Sequence, residues 1–209
     1  MELTFYTNPM SRGRIVRWML EEVGAPYETV LVGYGPTMKA PDYLAINPMG
    51  KVPALRHGPH VVTEGAAICA YLADAFPEAG LAPSSGARAD YYRWLFFGAG
   101  PIEAAVTAKG INLEPPAEKA PQVGFGTTDL TFGTLADAVA AREWLGGDAF
   151  SAADVYCASQ VMWGLHFGLM PKLAPLEAYV ARATARPAFA RAAEKDDAAA
   201  KTMPTPGSD

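Results

Sequence analysis

The pattern of hydrophobic and polar positions divides the first 76 residues into short strands and helices. A buried apolar run lies at residues 3–6, and apolar residues then recur at helical spacing from Ile15 to Val23, where a Gly-Ala-Pro sequence stops the helix. Further along, the pattern predicts a strand over 27–32, a looser helical stretch over 39–46, two strands, and a helix through Phe76. We therefore expect an α/β domain in this part of the chain.

Beyond residue 88 the strand pattern disappears and only helical spacing is left. Residues 79–88 are rich in Gly, Ala, Pro and Ser, as a linker is. The pattern then predicts a long helix over 89–108, an irregular loop over 111–126 and a further helix over 134–145. The uncharged run 155–171 favours a central core helix, because a membrane-spanning helix needs about 20 apolar residues. The second half is therefore predicted to be all-helical.

A capping box is the sharpest local signal of the second half. We expect the Ser151 side chain to accept a hydrogen bond from the N–H of Asp154, while the Asp154 carboxylate accepts one from the N–H of Ser151. This motif starts a helix, so its role is folding rather than catalysis. A last helix is expected to begin at Pro187, and residues 196–209 are expected to be a frayed tail.

Composition narrows the classes of function. Of the 209 residues 50% are hydrophobic, which is ample for buried cores, and the net charge of −5 without clustered Lys and Arg argues against nucleic-acid binding. The two cysteines, Cys69 and Cys157, lie in apolar helical stretches and predict no disulfide framework, which favours a reducing compartment. We expect a cytoplasmic protein without a signal peptide that binds neither nucleic acid nor membrane.

Residues 51–68 carry the clearest binding chemistry. If the Val52–Pro53 peptide bond is cis, the backbone N–H and C=O of Val52 point into a cleft instead of pairing within the sheet. Gly65 opens a helix whose unpaired N–H groups and partial positive charge suit a carboxylate. Glu64 beside it supplies the opposite charge, for an ammonium group. A small extended peptide with both groups, such as glutathione, fits these features.

Together with the capping box, these motifs make the chain similar to the cytosolic glutathione transferases, in particular to bacterial members with a serine-like active-site loop. The resemblance covers nearly all residues from 1 to 195. It implies a thioredoxin-like glutathione-binding domain over 1–78, the linker over 79–88, and an all-α helical-bundle domain over 89–195 that carries a hydrophobic substrate site.

The resemblance places the reactive group in the loop between the first strand and the first helix. Redox members carry Cys-Pro-x-Cys there, whereas this chain has Asn8-Pro-Met-Ser11 and so cannot run a dithiol cycle of its own. Ser11 is the leading candidate to hold the glutathione sulfur as a thiolate. Tyr6, Asn8 and Arg12 are alternatives, and Ser11 could instead serve only as a helix cap.

Simple energetics show that a serine is sufficient for this role. Ionising a thiol with a pKa of about 8.5 at neutral pH takes about 2 kcal/mol. One hydrogen bond to a charged acceptor supplies roughly 1.5–3 kcal/mol, and a helix N-terminus adds about 0.3–1 kcal/mol. We therefore expect glutathione as co-substrate and no metal.

Further residues are assigned by their place around this site. Lys39 and Lys51 flank it, and Lys51 is expected to meet the glycyl carboxylate of glutathione. A small hydrophobic electrophile should bind between the domains, and its candidate walls are Tyr92, Phe96, Pro101, Trp163 and His166. His166 lies on an apolar face, which favours a buried core histidine over a catalytic one.

The leading hypothesis is a glutathione transferase, in which thiolate glutathione attacks a hydrophobic electrophile during detoxification. The resemblance also implies a homodimer, and covering a face would help the small core of the first domain. A glutathione-dependent peroxidase or disulfide reductase is one alternative. A non-catalytic module that binds glutathione or a hydrophobic ligand is another.

Overall fold

A computed structural model describes residues 2–203. The end of the predicted tail, residues 204–209, lies outside this described part, as does Met1. The described residues group by their contacts into two units, the first with residues 2–79 and 186–203 and the second with residues 80–185.

The first unit is built on a four-stranded mixed sheet. Its strands are β1 (Leu3–Thr7), β2 (Glu28–Leu31), β3 (Ala54–His57) and β4 (His60–Thr63), in the order β2-β1-β3-β4. β1 runs parallel to β2, which a crossover helix requires, and antiparallel to β3. β3 and β4 form an antiparallel hairpin. The predicted α/β, thioredoxin-like element order is confirmed.

The helices are numbered along the chain: α1 (Gly13–Val23), α2 (Pro41–Leu44), α3 (Gly65–Ala75), α4 (Ala89–Phe97), α5 (Glu103–Gly110), α6 (Thr128–Ala141), α7 (Ala152–His166), α8 (Ala174–Thr184) and α9 (Pro187–Ala200). α1 follows the predicted periodicity, since Ile15, Met19 and Leu20 are buried. It ends at Gly24, whose φ of 74° allows its N–H to bond the C=O of Leu20.

The last helix, α9, groups with the first unit. Its Phe189 ring packs edge-on against Trp18 of α1, with 5.0 Å between ring centroids. α9 continues through residues 196–200, the first part of the predicted tail, and Asp196 is buried there. The domain boundaries inferred from the sequence stay a prediction.

In the second unit, the predicted long helix over 89–108 is interrupted. α4 passes through a wide π turn at Gly98–Ile102 before α5 begins, because Pro101 has no N–H to continue the regular ladder. A Cβ on Gly98 would lie 2.9 Å from the sulfur of Cys157, so only glycine permits this close approach to α7. The Cys157 thiol also donates a hydrogen bond to the C=O of Trp94 at 3.2 Å.

The predicted helix over 134–145 is wrong in both bounds, since α6 spans Thr128–Ala141. The helix begins earlier because the Thr127 hydroxyl accepts a hydrogen bond from the N–H of Leu130 at 3.1 Å. No helix within residues 2–203 is both long and apolar enough to span a membrane.

α7 is the central helix of the second unit, and residues 151–161 are all buried. The predicted capping box is confirmed, with the N–H of Ser151 donating to Oδ2 of Asp154 at 3.0 Å. The other oxygen, Oδ1, accepts from the N–H of Leu145 at 2.8 Å and from the hydroxyl of Tyr179 at 3.0 Å. The box therefore also holds the preceding loop and α8 against α7.

Candidate active site

Ser11 lies in the β1–α1 loop, residues 8–12, directly before the first turn of α1. Its hydroxyl donates to the C=O of Asn8 at 2.7 Å and accepts from the N–H of Gly13 at 2.9 Å. The same carbonyl also accepts from the N–H of Ser11 at 3.0 Å. Ser11 thus satisfies one of the N–H groups that a helix start leaves unpaired, and its hydroxyl oxygen lies at the positive end of α1.

The competing residues of this region have different surroundings. Asn8 is fully buried, and its side chain donates to the C=O of Val32 at 3.0 Å and accepts from the N–H of Met10 at 2.9 Å. Both ends of its amide therefore shape the loop. Tyr6 lies in a buried apolar cluster, where its ring contacts Tyr43. Arg12 is exposed.

Thr7, which the sequence analysis did not single out, also belongs to this site. It is fully buried, and its hydroxyl has no hydrogen-bond partner within the described residues. A Cβ on Gly13 would lie 2.0 Å from Oγ1 of Thr7 and 3.0 Å from Oγ of Ser11, so both hydroxyls approach the same side of Gly13. No local pattern marks such a contact, because it forms across the loop.

The segment before β3 presents the backbone of Val52. The Val52–Pro53 peptide bond is cis, and between residues 2 and 203 neither the N–H nor the C=O of Val52 forms a backbone hydrogen bond. The preceding C=O of Lys51 accepts from the Tyr43 hydroxyl at 2.6 Å and from the Asn47 amide at 2.8 Å. Burial raises the pKa of Tyr43 to about 12, which keeps that hydroxyl protonated as a donor.

Charged residues flank this segment on both sides. The ammonium group of Lys39 donates to the C=O of Met49 and of Gly50, both at 3.0 Å, while the Lys51 side chain is exposed. Glu64 is exposed at the start of α3, with Gly65 as the first helical residue. The backbone of Glu64 has a φ of 67° and a ψ of 120°, which are rare for a residue other than glycine. Such backbone conformations cluster at functional sites.

Comparison with known proteins decides the family. Residues 10–75 match the family model described as glutathione S-transferase, N-terminal domain. The chain is 31% identical to glutathione S-transferase GST-4.5 of Xanthomonas campestris pv. campestris over 192 residues, which cover 86% of this chain and 92% of that protein. The chain belongs to the glutathione transferase family.

Solved structures agree with this assignment. A glutathione-S-transferase from Xylella fastidiosa matches this transferase with a TM-score of 0.77 at 27% identity, over 94% of this chain and 99% of that one. A sphingomonad glutathione S-transferase complexed with glutathione matches with a TM-score of 0.75 at 30% identity, over 93% and 98% of the two chains. The predicted fold class, enzyme class and transferase function are confirmed, and these comparisons do not favour the reductase or the non-catalytic alternative.

The second unit of the transferase carries an apolar groove of about 760 Å³ along α5 and the loop that follows it. Its apolar lining includes Ile111, Leu113 and Phe125. None of the five wall residues predicted from the sequence lines this groove; these are Tyr92, Phe96, Pro101, Trp163 and His166.

Those five residues have differing environments. Tyr92 and Phe96 are exposed on α4, Pro101 lies in the π turn and Trp163 is half-buried on α7. The expectation of a buried His166 is wrong, because it occupies the last turn of α7, where the chain leaves the core and the side chain is exposed. Within residues 2–203, no three His, Cys, Asp or Glu side chains come together as metal ligands would.

Proposed function

We propose that this transferase binds glutathione along the β1–α1 loop, Val52 and the start of α3, and that Ser11 stabilises its thiolate. The thiolate then attacks a small hydrophobic electrophile. A carbon–sulfur bond forms while the leaving group departs with its electron pair, or an activated double bond accepts the electrons and then a proton. The observation that carries the proposal is the position of the Ser11 hydroxyl between the Gly13 N–H and the Asn8 C=O.

These hydrogen bonds suit a donor to sulfur. When the Ser11 proton turns from the Asn8 C=O to a sulfur atom, that carbonyl keeps the bond from the N–H of Ser11. The N–H of Gly13 continues to donate to Oγ, and a hydroxyl that accepts a hydrogen bond becomes a better donor. A charge-assisted bond of roughly 1.5–3 kcal/mol matches the requirement of about 2 kcal/mol for the thiolate.

The proposed binding groups match three parts of glutathione: the cysteinyl backbone, the γ-glutamyl end and the glycyl carboxylate. Val52 offers an N–H and a C=O to the extended cysteinyl backbone. The Glu64 carboxylate and the first N–H groups of α3 suit the amine and carboxylate of the γ-glutamyl end. Lys51, with Lys39 beside the same turn, suits the glycyl carboxylate.

The groove of the second unit suits the apolar body of the electrophile, because its size falls in the range of small-molecule sites and its lining is mainly apolar. We also infer a cytoplasmic homodimer that acts in detoxification. Size-exclusion chromatography with light scattering tests the dimer. A mass near 22 kDa at every concentration would contradict it.

Isothermal titration with glutathione tests the binding step. We expect saturable binding at or below millimolar glutathione, and weaker binding for Glu64→Gln because the ammonium group loses its charged partner. Asp42→Asn, an exposed charge change on α2, serves as the matched control and should bind like the natural chain. Absence of saturable heat, with protein that is folded by circular dichroism, would refute the proposal.

A further inference from the structure

Arg14 lies in the first turn of α1, three residues after Ser11, and its side chain reaches back over the β1–α1 loop. Its Nε donates to the C=O of Pro9 at 2.5 Å, while its backbone N–H donates to the C=O of Ser11 at 3.2 Å. Pro9 directly follows Asn8, whose C=O accepts the hydrogen bond from the Ser11 hydroxyl. Arg14 therefore fixes the peptide group next to the one that orients the Ser11 hydroxyl.

The Arg14 guanidinium is held in turn by the last helix. Its Nη2 donates to Oδ1 of Asp197 in α9 at 2.7 Å. Because a guanidinium group is planar, a bond that fixes Nη2 also fixes the direction in which Nε points. The two side chains are 30% and 63% exposed, and an ion pair at such exposure contributes little to stability. We therefore expect the pair to act on the geometry of the loop rather than on folding.

The rest of the loop is anchored from the segment after β2. The Asn8 amide donates to the C=O of Val32 at 3.0 Å, and the Tyr34 hydroxyl donates to the C=O of Met10 at 3.0 Å. Without the side-chain bond from α1, the loop would keep these two anchors, but the Pro9 peptide group between them could rotate. A hydroxyl that must meet a sulfur atom tolerates little such movement, since a misplacement of about 1 Å can cost about 100-fold in rate.

We propose that Arg14 is a positioning residue for the transferase reaction and that Asp197 orients it. Arg14 holds the Pro9 peptide group, and thereby the loop from which the Ser11 hydroxyl faces the glutathione sulfur. Arg14 itself makes no bond to the reacting atoms. The inference rests on the proposed role of Ser11 in stabilising the thiolate.

The thiol pKa of bound glutathione and the turnover number test this role on the full chain. Arg14→Met should raise that pKa by about one unit, which lowers the thiolate fraction and the turnover at neutral pH about tenfold. The KM for glutathione should change less than about twofold, because the proposed binding groups lie elsewhere. Arg14→Lys keeps the charge but lacks the planar fork that joins both partners, so its thiol pKa should lie between those of Arg14→Met and the natural chain.

Asp197→Asn distinguishes positioning from simple electrostatics. The variant keeps the positive charge of Arg14 but loses the carboxylate that orients it. If Arg14 acted through its charge, removal of a nearby negative charge would lower the thiol pKa. Positioning predicts the opposite, a rise of about half a unit and turnover about threefold lower. A thiol pKa that falls or stays unchanged in Asp197→Asn overturns the proposal.

Arg191→Met is the matched control. Arg191 also joins α9 to α1, through the carboxylate and the C=O of Glu21, but Glu21 lies in the last turn of α1, at the opposite end from the loop. Its replacement should lower stability without changing the thiol pKa or the turnover of the folded protein. Equal pKa shifts in Arg191→Met and Arg14→Met would show a general loosening of α1 and overturn the proposal.

A double variant, Ser11→Ala with Arg14→Met, shows whether Arg14 acts through Ser11. Since positioning requires the hydroxyl, Arg14→Met should have little further effect once Ser11 is replaced, and equal effects in both backgrounds overturn the proposal. If Ser11→Ala raises the thiol pKa and Arg14→Met does not, this inference fails while the proposed function stands. If neither variant raises it, the proposed role of Ser11 fails, and the positioning role of Arg14 fails with it.

Discussion

Arg17 of α1 and Asp196 of α9 form a buried ion pair, with 2.8 Å between Nε and Oδ1 and only 4% and 1% of the two side chains exposed. The residues are 179 positions apart, so the pair joins the two ends of the chain within the first unit. A charge buried to this extent is tolerated only when its partner is present.

Asp196→Asn should therefore destabilise the transferase strongly, because it leaves the Arg17 guanidinium buried without a counter-charge. We expect a loss of about 3 kcal/mol in the free energy of unfolding, measured by urea denaturation. The adjacent Asp197→Asn is the matched control. Asp197 pairs with Arg14 at 2.7 Å but is 63% exposed, so its loss should cost less than about 1 kcal/mol. Equal losses for the two variants would disprove the role of the buried pair.

Glu21 should make stability depend on pH. Burial alone would raise the pKa of Glu21, but hydrogen bonds from Lys195 and Tyr27 and the contact with Arg191 lower it below its usual value. A carboxyl group with a lowered pKa binds fewer protons in the folded than in the unfolded state. The stability that Glu21 contributes is thus present above the unfolded pKa of about 4.3 and is lost as the pH falls through the folded pKa.

Glu21→Gln removes this contribution. We expect the variant to be less stable than the natural chain at pH 7, and the gap between their urea midpoints to narrow as the pH is lowered below about 4. Glu28→Gln, an exposed position on β2, controls for the change in net charge. A gap that stays constant down to acid pH would show that Glu21 contributes through packing alone.

Ser11→Ala separates catalysis from helix capping. If Ser11 donates to the sulfur, turnover of the variant at neutral pH should fall roughly 30-fold. The thiol pKa of bound glutathione, read from the absorbance of the thiolate, should rise towards that of free glutathione. Glutathione affinity should change little, because the proposed binding groups lie at Val52, Glu64 and Gly65.

The matched control for that substitution is Thr127→Ala. Thr127 caps α6 by accepting from the N–H of Leu130, so its loss should cost about 1 kcal/mol of stability while the thiol pKa and turnover stay unchanged. If Ser11→Ala behaves in the same way, Ser11 is only a cap.

Gly13→Ala tests the close approach of Thr7. The new Cβ would lie 2.0 Å from Oγ1 of Thr7, so we expect a loss of about 1–3 kcal/mol from overpacking. Adding Thr7→Ala to the Gly13→Ala variant should recover part of this loss, because the stability changes of substitutions at contacting residues do not add. Gly133→Ala in α6 has no neighbouring atom within 4 Å and should stabilise by about 0.5–1 kcal/mol. If the double variant loses as much stability as the two single variants together, Thr7 and Gly13 are not in contact.

Several features of the candidate active site depend on contacts that no local pattern records. Thr7 and Gly13 meet across a loop, and the hydroxyl of Ser11 is satisfied by two backbone groups. The resemblance to the glutathione transferases is enough to place Ser11 in the loop between the first strand and the first helix, at the mouth of α1. It could not specify the direction of the hydroxyl, which depends on where the C=O of Asn8 points.

By itself the sequence determined the strand and helix order of the first unit, the end of α1 at Gly24 and the capping box of α7, because each depends on residues within a few positions of one another. Only the tertiary structure decided that α9 belongs with the first unit and that Arg17 pairs with Asp196. Such contacts reflect packing between distant segments, where burial makes a missing partner costly, and the hydrophobic pattern of neither segment identifies that partner.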